Sequence, residues 1–393
     1  MKLSAYAQGR DNNFNLIRMV AAFSVLLTHC FALVGGSRES EPLLSMLGMT
    51  IGDIAVDMFF VTSGFLITAS LLSRKSMIDF IWARMLRIYP ALIVALVLSA
   101  FILGPYFTTL PLSGYFLDPD TWFYLMRGLL PFIGFSFLLP GVFEGNPYAG
   151  VVNGSLWTIT FEVLMYAQLA IFWIMVGWGR HSFRKTDATG RKKNVWVPLM
   201  HLPGLRVVWM KRVVLAYLLP VGVYVLAARW FEFEMVRFFP LSFMFFTGAA
   251  FYLFRECIHL SSALFGVALA ILIFSLFHDS VPFSLVYSIV LAYCIFYVAY
   301  VPAGSIRQYN RLGDYSYGVY VYAFPLQQAL VALIPNISIW QLMLLSSVMV
   351  VLLAVLSWHF LEKKALALKM AFADRTRVFL QDNLLPASGT KGW

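Results

Sequence analysis

Charge is what this chain has least of. Only 12% of its 393 residues are Asp, Glu, Lys or Arg, against about 25% in an ordinary soluble domain. A water-soluble globule is thereby excluded, because too few charged side chains exist to cover a compact body of this length. Cysteine is nearly absent as well: Cys30, Cys257 and Cys294 are odd in number and widely spaced, which excludes a disulfide scaffold and leaves them as small hydrophobes. Acidic groups are scarcer than basic ones, 19 against 29, for a formal charge of +10. No small-residue cleavage site follows the first apolar run, so a removable signal peptide is not expected. Internal repeats and domain boundaries are likewise missing from the pattern.

Apolar and aromatic residues fill the space that charge leaves. Hydrophobic residues make up 61% of the chain and include 36 Phe, 19 Tyr and 11 Trp, far more than a disordered segment leaves exposed. A membrane span needs about 20 apolar residues. Ten stretches qualify: 14–34, 51–72, 88–109, 152–178, 213–230, 237–254, 262–277, 283–301, 317–335 and 340–361. The apolar stretch 121–140 carries Arg127, Pro131 and Pro140 and is set outside the membrane as part of an interfacial cap over 110–151. With ten spans and both termini cytoplasmic, 24 of the 29 Lys and Arg residues fall on one side, as the positive-inside bias demands. An eleventh span would carry the basic loop 179–212 across. The expected fold is therefore an all-α polytopic helix bundle, one membrane domain over 1–362, followed by a cytoplasmic tail over 363–393. The positive charge serves orientation, and nucleic acid is not an expected partner; membrane lipid is.

Ionisable groups at membrane depth are costly, about 2.5–3.5 kcal/mol each by insertion scales, and mark function. Arg18 and His29 are eleven residues apart, so a helix points both from one face, with their backbones roughly 16 Å apart along its axis at about 1.5 Å per residue. Asp57 lies at a depth close to that of His29, where a carboxylate can accept the second ring N–H of a histidine and raise its basicity. Glu162 sits near mid-depth of its span. On the cytoplasmic side Arg84 and Arg87, at i and i+3, present two guanidinium forks suited to phosphate oxygens. No metal is implied by any ligand spacing.

These residues sit in an ordered series of motifs. They are Asn15-Leu-Ile-Arg18 with His29; Ala55-Val-Asp57 running to Thr62-Ser63-Gly64; Arg84-x-x-Arg87-Ile-Tyr-Pro90; Leu139-Pro-Gly-Val-Phe143; Asn153-Gly-Ser155-Leu-Trp157 with Glu162 and Tyr166; Gly313-Asp-Tyr-Ser316-Tyr317-Gly318-Val-Tyr320; and Phe360-Leu-Glu362. In order and spacing the chain resembles the bacterial acyltransferase-3 family of integral-membrane O-acyltransferases. The resemblance implies transfer of an acyl group, usually acetyl, from cytoplasmic acyl-CoA (a co-substrate; no bound cofactor is expected) to a hydroxyl of a glycan or glycolipid acceptor, at a bacterial inner membrane. It implies His29 as general base, Asp57 orienting it, Glu162 binding or polarising a reacting group, Arg84 and Arg87 on donor phosphates, and Arg18 at the inner end of the acyl path. One departure stands out: where the family commonly has a histidine two residues before a proline, this chain has Ala323 ahead of Phe324 and Pro325, which leaves that role to Tyr320 or Tyr322 or to no residue. Two other classes fit parts of the pattern. A glycan or lipid exporter would share the spans and buried charges but would show helix-breaking repeats in corresponding halves. A membrane haem protein would need His29 and His359 at one depth, whereas the expected spans put them roughly 20 Å apart.

Overall fold

The computed structural model describes every residue except 10, 74–75, 187–191, 200–201, 279–281 and 385–393. All ten expected stretches are helical. Seven described helices are long and apolar enough to cross a membrane: Phe14–Gly35, Ile51–Ser73, Met77–Phe107, Gly154–Trp178, Pro203–Trp230, Phe283–Tyr300 and Ile339–Asn383. Phe238–Leu253 and Ser262–Ser275 are apolar but shorter. Ser316–Leu333 carries Gln327, Gln328 and four tyrosine or serine positions in its first half, and most of its side chains are buried in protein. The protein is a multi-pass membrane helix bundle.

The structure moves one helix boundary and adds a hairpin within an expected loop. The basic stretch 179–212 is not simply a loop: Arg180–Thr186 and Lys192–Pro198 pair as an antiparallel hairpin. Pro203, whose missing N–H costs nothing in a first helical turn, then starts the Pro203–Trp230 helix. The three basic residues Arg206, Lys211 and Arg212 therefore extend a spanning helix rather than a loop. The tail 363–393 is helical over Lys363–Ala367 and Lys369–Leu384, and 385–393 lies outside the described residues. Within 110–151 short helices form at Leu112–Leu117 and Pro119–Leu129.

The chain divides into two compact units. The first comprises Met1–Val25, Glu41–Ala69 and Thr158–Leu312. Its core includes a cluster of rings in which Phe65 meets Phe296 at 4.7 Å, Tyr252 at 5.2 Å and Phe14 at 5.8 Å between centroids. Two helices touch backbone to backbone here. A Cβ on Gly64 would lie 1.8 Å from the Phe245 carbonyl oxygen, and one on Gly248 would lie 2.0 Å from that of Val61. Lipid offers no hydrophobic drive for helices to associate, so such close approach through small residues supplies the contact area instead. Asn13, buried at the start of the Phe14–Gly35 helix, donates its amide to the carbonyls of Val298 (3.0 Å) and Pro302 (2.9 Å).

The second unit comprises Leu26–Ser40, Ser70–Trp157 and Gly313–Trp393. Ser316–Leu333 is its axis, with nearly every side chain buried. Gly318 lies against Ala354, 3.0 Å from where a Cβ would stand, which lets Ser316–Leu333 and Ile339–Ser357 pack tightly. Gln327 donates to the Leu26 carbonyl at 3.0 Å. Gln328 donates to the carbonyls of Tyr148 (2.8 Å) and Val151 (2.7 Å) and accepts from Asn146 at 2.6 Å. These amides satisfy an irregular segment that would otherwise carry unpaired backbone groups. The Met77–Leu98 helix runs on through a π-helical turn at Ser99–Leu103. There the Tyr115 hydroxyl donates to the Ala100 carbonyl at 2.8 Å; burial pushes this phenol up to about 12, so it remains a donor at neutral pH.

The crossing at Gly64 and Gly248 yields a contrast. Gly64→Ala places a methyl on a backbone oxygen and is expected to cost at least the upper part of the about 1–3 kcal/mol typical of overpacking. Gly266→Ala, in a helix position with nothing within 4 Å of the new Cβ, is expected to stabilise by about 0.5–1 kcal/mol. Unfolding midpoints of the two purified variants in one detergent check this, and equal midpoints would contradict the crossing.

Candidate functional site

The sequence-derived residues fall on both units: Arg18, Asp57 and Glu162 belong to the first, His29, Arg84 and Arg87 to the second. Arg18 and His29 share the Phe14–Gly35 helix, as their spacing requires.

In the first unit the structure gives each acidic residue a tyrosine. Asp57 is 5% exposed and accepts a hydrogen bond from the Tyr287 hydroxyl at 3.3 Å. The sequence pattern pointed to a histidine N–H as the donor; its observed donor is this phenol. Glu162 and Tyr166, four apart on the Trp157–Trp178 helix, face one way, and Tyr166 donates to the Glu162 carboxylate in a short hydrogen bond. The Ser63 hydroxyl stands 3.2 Å from the Tyr166 oxygen. Its neighbour Thr62 instead bonds back to the carbonyls of Met58 and Phe59, the usual recourse of a hydroxyl in a membrane helix. Ser63 thus completes a Ser63–Tyr166–Glu162 chain able to share and move a proton. The guanidinium of Arg18 stacks over Phe59, 6.0 Å from the ring centroid.

In the second unit His29 is packed edge-to-face with Phe324, centroids 4.9 Å apart at 76°. Its Nδ1 is buried and has no hydrogen-bond partner among the described residues. Phe324 is held in turn by the Asn153-Gly154-Ser155 segment. A Cβ on Gly154 would lie 2.8 Å from the Phe324 ring, so only glycine allows the segment to pass so close. Asn153 donates to the Val321 carbonyl at 3.0 Å, and Tyr320 donates to the Ser155 carbonyl at 2.8 Å.

Arg84 and Arg87 both lie on Met77–Leu98. Arg87, 13% exposed, pairs with Asp314 at 2.6 Å and with Glu362 at 3.4 Å, and its guanidinium also lies over Tyr317 and Trp358. Glu362, 1% exposed, accepts from Ser357 at 2.9 Å, and the Ser357 oxygen stands 3.0 Å from the Tyr322 hydroxyl. The second fork expected to face a phosphate thus already holds two carboxylates. The two tyrosines considered in place of the histidine missing at Ala323 are likewise engaged, Tyr320 on Ser155 and Tyr322 on Ser357.

Sequence reasoning assigned no role to Ser63, Tyr166, Tyr287, Phe324, Asp314 or Glu362. The i, i+4 pair Glu162 and Tyr166 was legible in spacing alone, whereas the others depend on which helices become neighbours.

Comparison with known proteins agrees with this arrangement of motifs. The chain is 28% identical over 361 residues to a protein named O-acetyl transferase from Shigella phage Sf6, covering 91% of this chain and 96% of that one. It is 30% identical over 173 residues to Nodulation protein 10 of Rhizobium leguminosarum bv. viciae, covering 42% of this chain and 44% of that protein. No solved structure gives a significant match. The model of the acyltransferase-3 family, described as an acyltransferase domain, matches residues 11–359, a stretch that contains Arg18, His29, Asp57, Arg84, Arg87 and Glu162: the chain belongs to the acyltransferase-3 family.

Proposed function

We propose that this enzyme is an O-acetyltransferase of the bacterial cytoplasmic membrane that takes an acetyl group from acetyl-CoA in the cytoplasm and passes it to a hydroxyl of an envelope or secreted glycan or glycolipid. The observation that carries the reading is the full-length likeness to a phage protein named O-acetyl transferase, joined to a buried-face histidine on the first long helix. With Nδ1 sealed, Nε2 is the nitrogen assigned to the acceptor hydroxyl, and a well-placed general base supplies about 10²–10⁴ in rate. Glu162 acts through Tyr166, polarising the Ser63 hydroxyl or a reacting group beside it. Asp57 belongs to the same acid–base set, with Tyr287 as its hydrogen-bond donor, and Arg18 is assigned the inner end of the acyl path. Arg84 and Arg87 are assigned to the donor phosphates, Arg87 from a position where Asp314 and Glu362 also hold it. Both termini and the basic hairpin region face the cytoplasm in this reading, and 110–151 faces outward.

His29→Ala is expected to reduce acetylation by about 10²-fold or more with the protein still folded and inserted. The measurement is mass spectrometry of ester-linked acetate on the envelope and secreted glycans of cells carrying the wild-type chain, His29→Ala, or neither. Near-normal acetate in the His29→Ala cells would remove His29 from the chemistry, and no difference between wild type and neither would remove the glycan acceptor.

The arginines separate by what each variant loses. Arg84→Lys keeps the charge but loses the planar fork and is expected to weaken acetyl-CoA binding several-fold by titration calorimetry. Arg87→Ala strands a carboxylate that is 1% exposed, and the expected cost is on the order of 3–5 kcal/mol of stability. Glu362→Gln combined with Arg87→Ala should recover part of that loss, because the uncompensated charge is gone. Unchanged donor affinity in Arg84→Lys would return Arg84 to an orienting role.

A further inference from the structure

Among the described residues, the surroundings of His29 lack the group that usually holds a histidine base. A carboxylate or carbonyl on the second ring nitrogen fixes tautomer and orientation in most such sites, yet Nδ1 of His29 has no hydrogen-bond partner among the described residues. What touches the imidazole is the Phe324 ring, edge-to-face at 4.9 Å and 76°. Aromatic pairs of this geometry prefer a particular mutual orientation, and an N–H over an aromatic face is a weak but real donor contact.

Phe324 is itself unusually constrained. It precedes Pro325, which lies inside the Ser316–Leu333 helix and cannot donate to the Val321 carbonyl four residues back. Asn153 fills that vacancy at 3.0 Å. One residue on, Gly154 lies so close to the ring that an added Cβ would stand 2.8 Å from it, and Tyr148 closes a further side with centroids 6.3 Å apart. Tyr320, one turn earlier, is tied to the Ser155 carbonyl. The ring of Phe324 is thus clamped by backbone on one side and presents itself to His29 on another. All of these groups lie in one compact unit.

We infer that Phe324 is a positioning residue for His29: clamped by the Asn153-Gly154-Ser155 segment against the break at Pro325, its ring sets the imidazole orientation that a carboxylate sets elsewhere. This rests on His29 as the general base, and Phe324 itself touches no reacting atom. Replacing the ring should therefore lower turnover while sparing donor binding.

The test is a double-mutant cycle between positions 154 and 324, read as kcat and KM for acetyl-CoA in membranes from cells expressing each variant, with CoA thiol release as the assay and the membranes' own glycans as acceptor. Phe324→Leu is expected to lower kcat at least tenfold with KM for acetyl-CoA within about twofold of wild type. Gly154→Ala, which displaces the ring, should lower kcat comparably, and adding it to Phe324→Leu should cost little more, because no ring remains to displace. Nitrogen chemical shifts of labelled His29 should move in Phe324→Leu, a change that loss of packing elsewhere would not cause. If Gly154→Ala and Phe324→Leu lower kcat multiplicatively, or if Phe324→Leu leaves both kcat and the His29 shifts unchanged while His29→Ala is inactive, the positioning role is overturned. Full activity in His29→Ala would instead overturn the base assignment beneath it.

Discussion

A proline inside or just beyond a membrane helix leaves the carbonyl four residues before it without an amide to accept from, and in hydrocarbon no water takes the amide's place. At three places this chain meets that constraint with a side-chain donor. Asn13 donates to Val298, vacated by Pro302, and Asn153 donates to Val321, vacated by Pro325. Tyr115 donates to Ala100 in the π-helical turn whose next donor along would be Pro105. Asn153 also accepts from the Ser155 amide at the entry of the next helix, so one side chain both starts a helix and secures the break in another. The ring of Phe324, and with it the surroundings of His29, depends on the second of these bonds.

Positions of helices were legible in the sequence because hydropathy is a local property: a run of about 20 apolar residues has few other places to be. Boundaries were less so. Apolarity begins near position 213, yet the helix begins at Pro203 because a proline can start a helix whatever the charge of the turn that follows. The hairpin over 180–198 was read as loop, since its basic composition masked the strand alternation around Val195 and Val197.

The candidate site was legible as a set of residue types and much less as a set of pairs. A charged or ionisable side chain at membrane depth stands out in any sequence, which is why Arg18, His29, Asp57 and Glu162 are found by inspection. Partners require knowing which helices meet. Asp57 pairs with Tyr287, 230 positions along the chain, and Arg87 pairs with Asp314 and Glu362, 227 and 275 positions away. The arginine pair shows the consequence: spacing offers Arg84 and Arg87 as two forks, and only tertiary neighbours reveal the two carboxylates on Arg87. The same holds at Ala323, where the absent histidine is read directly, but the engagement of Tyr320 and Tyr322 by other groups is not.

The claim that a side-chain amide stands in for the missing proline N–H is tested most directly by a stability cycle on Asn153 and Pro325, using the purified full chain in one detergent. Asn153→Ala alone strands the Val321 carbonyl and should lower stability by about 1–3 kcal/mol, the usual cost of an unsatisfied buried polar group. Pro325→Ala restores an N–H at that carbonyl, so Asn153→Ala should cost markedly less in its presence. Equal losses from Asn153→Ala with Pro325 and with Ala at that position would contradict the account.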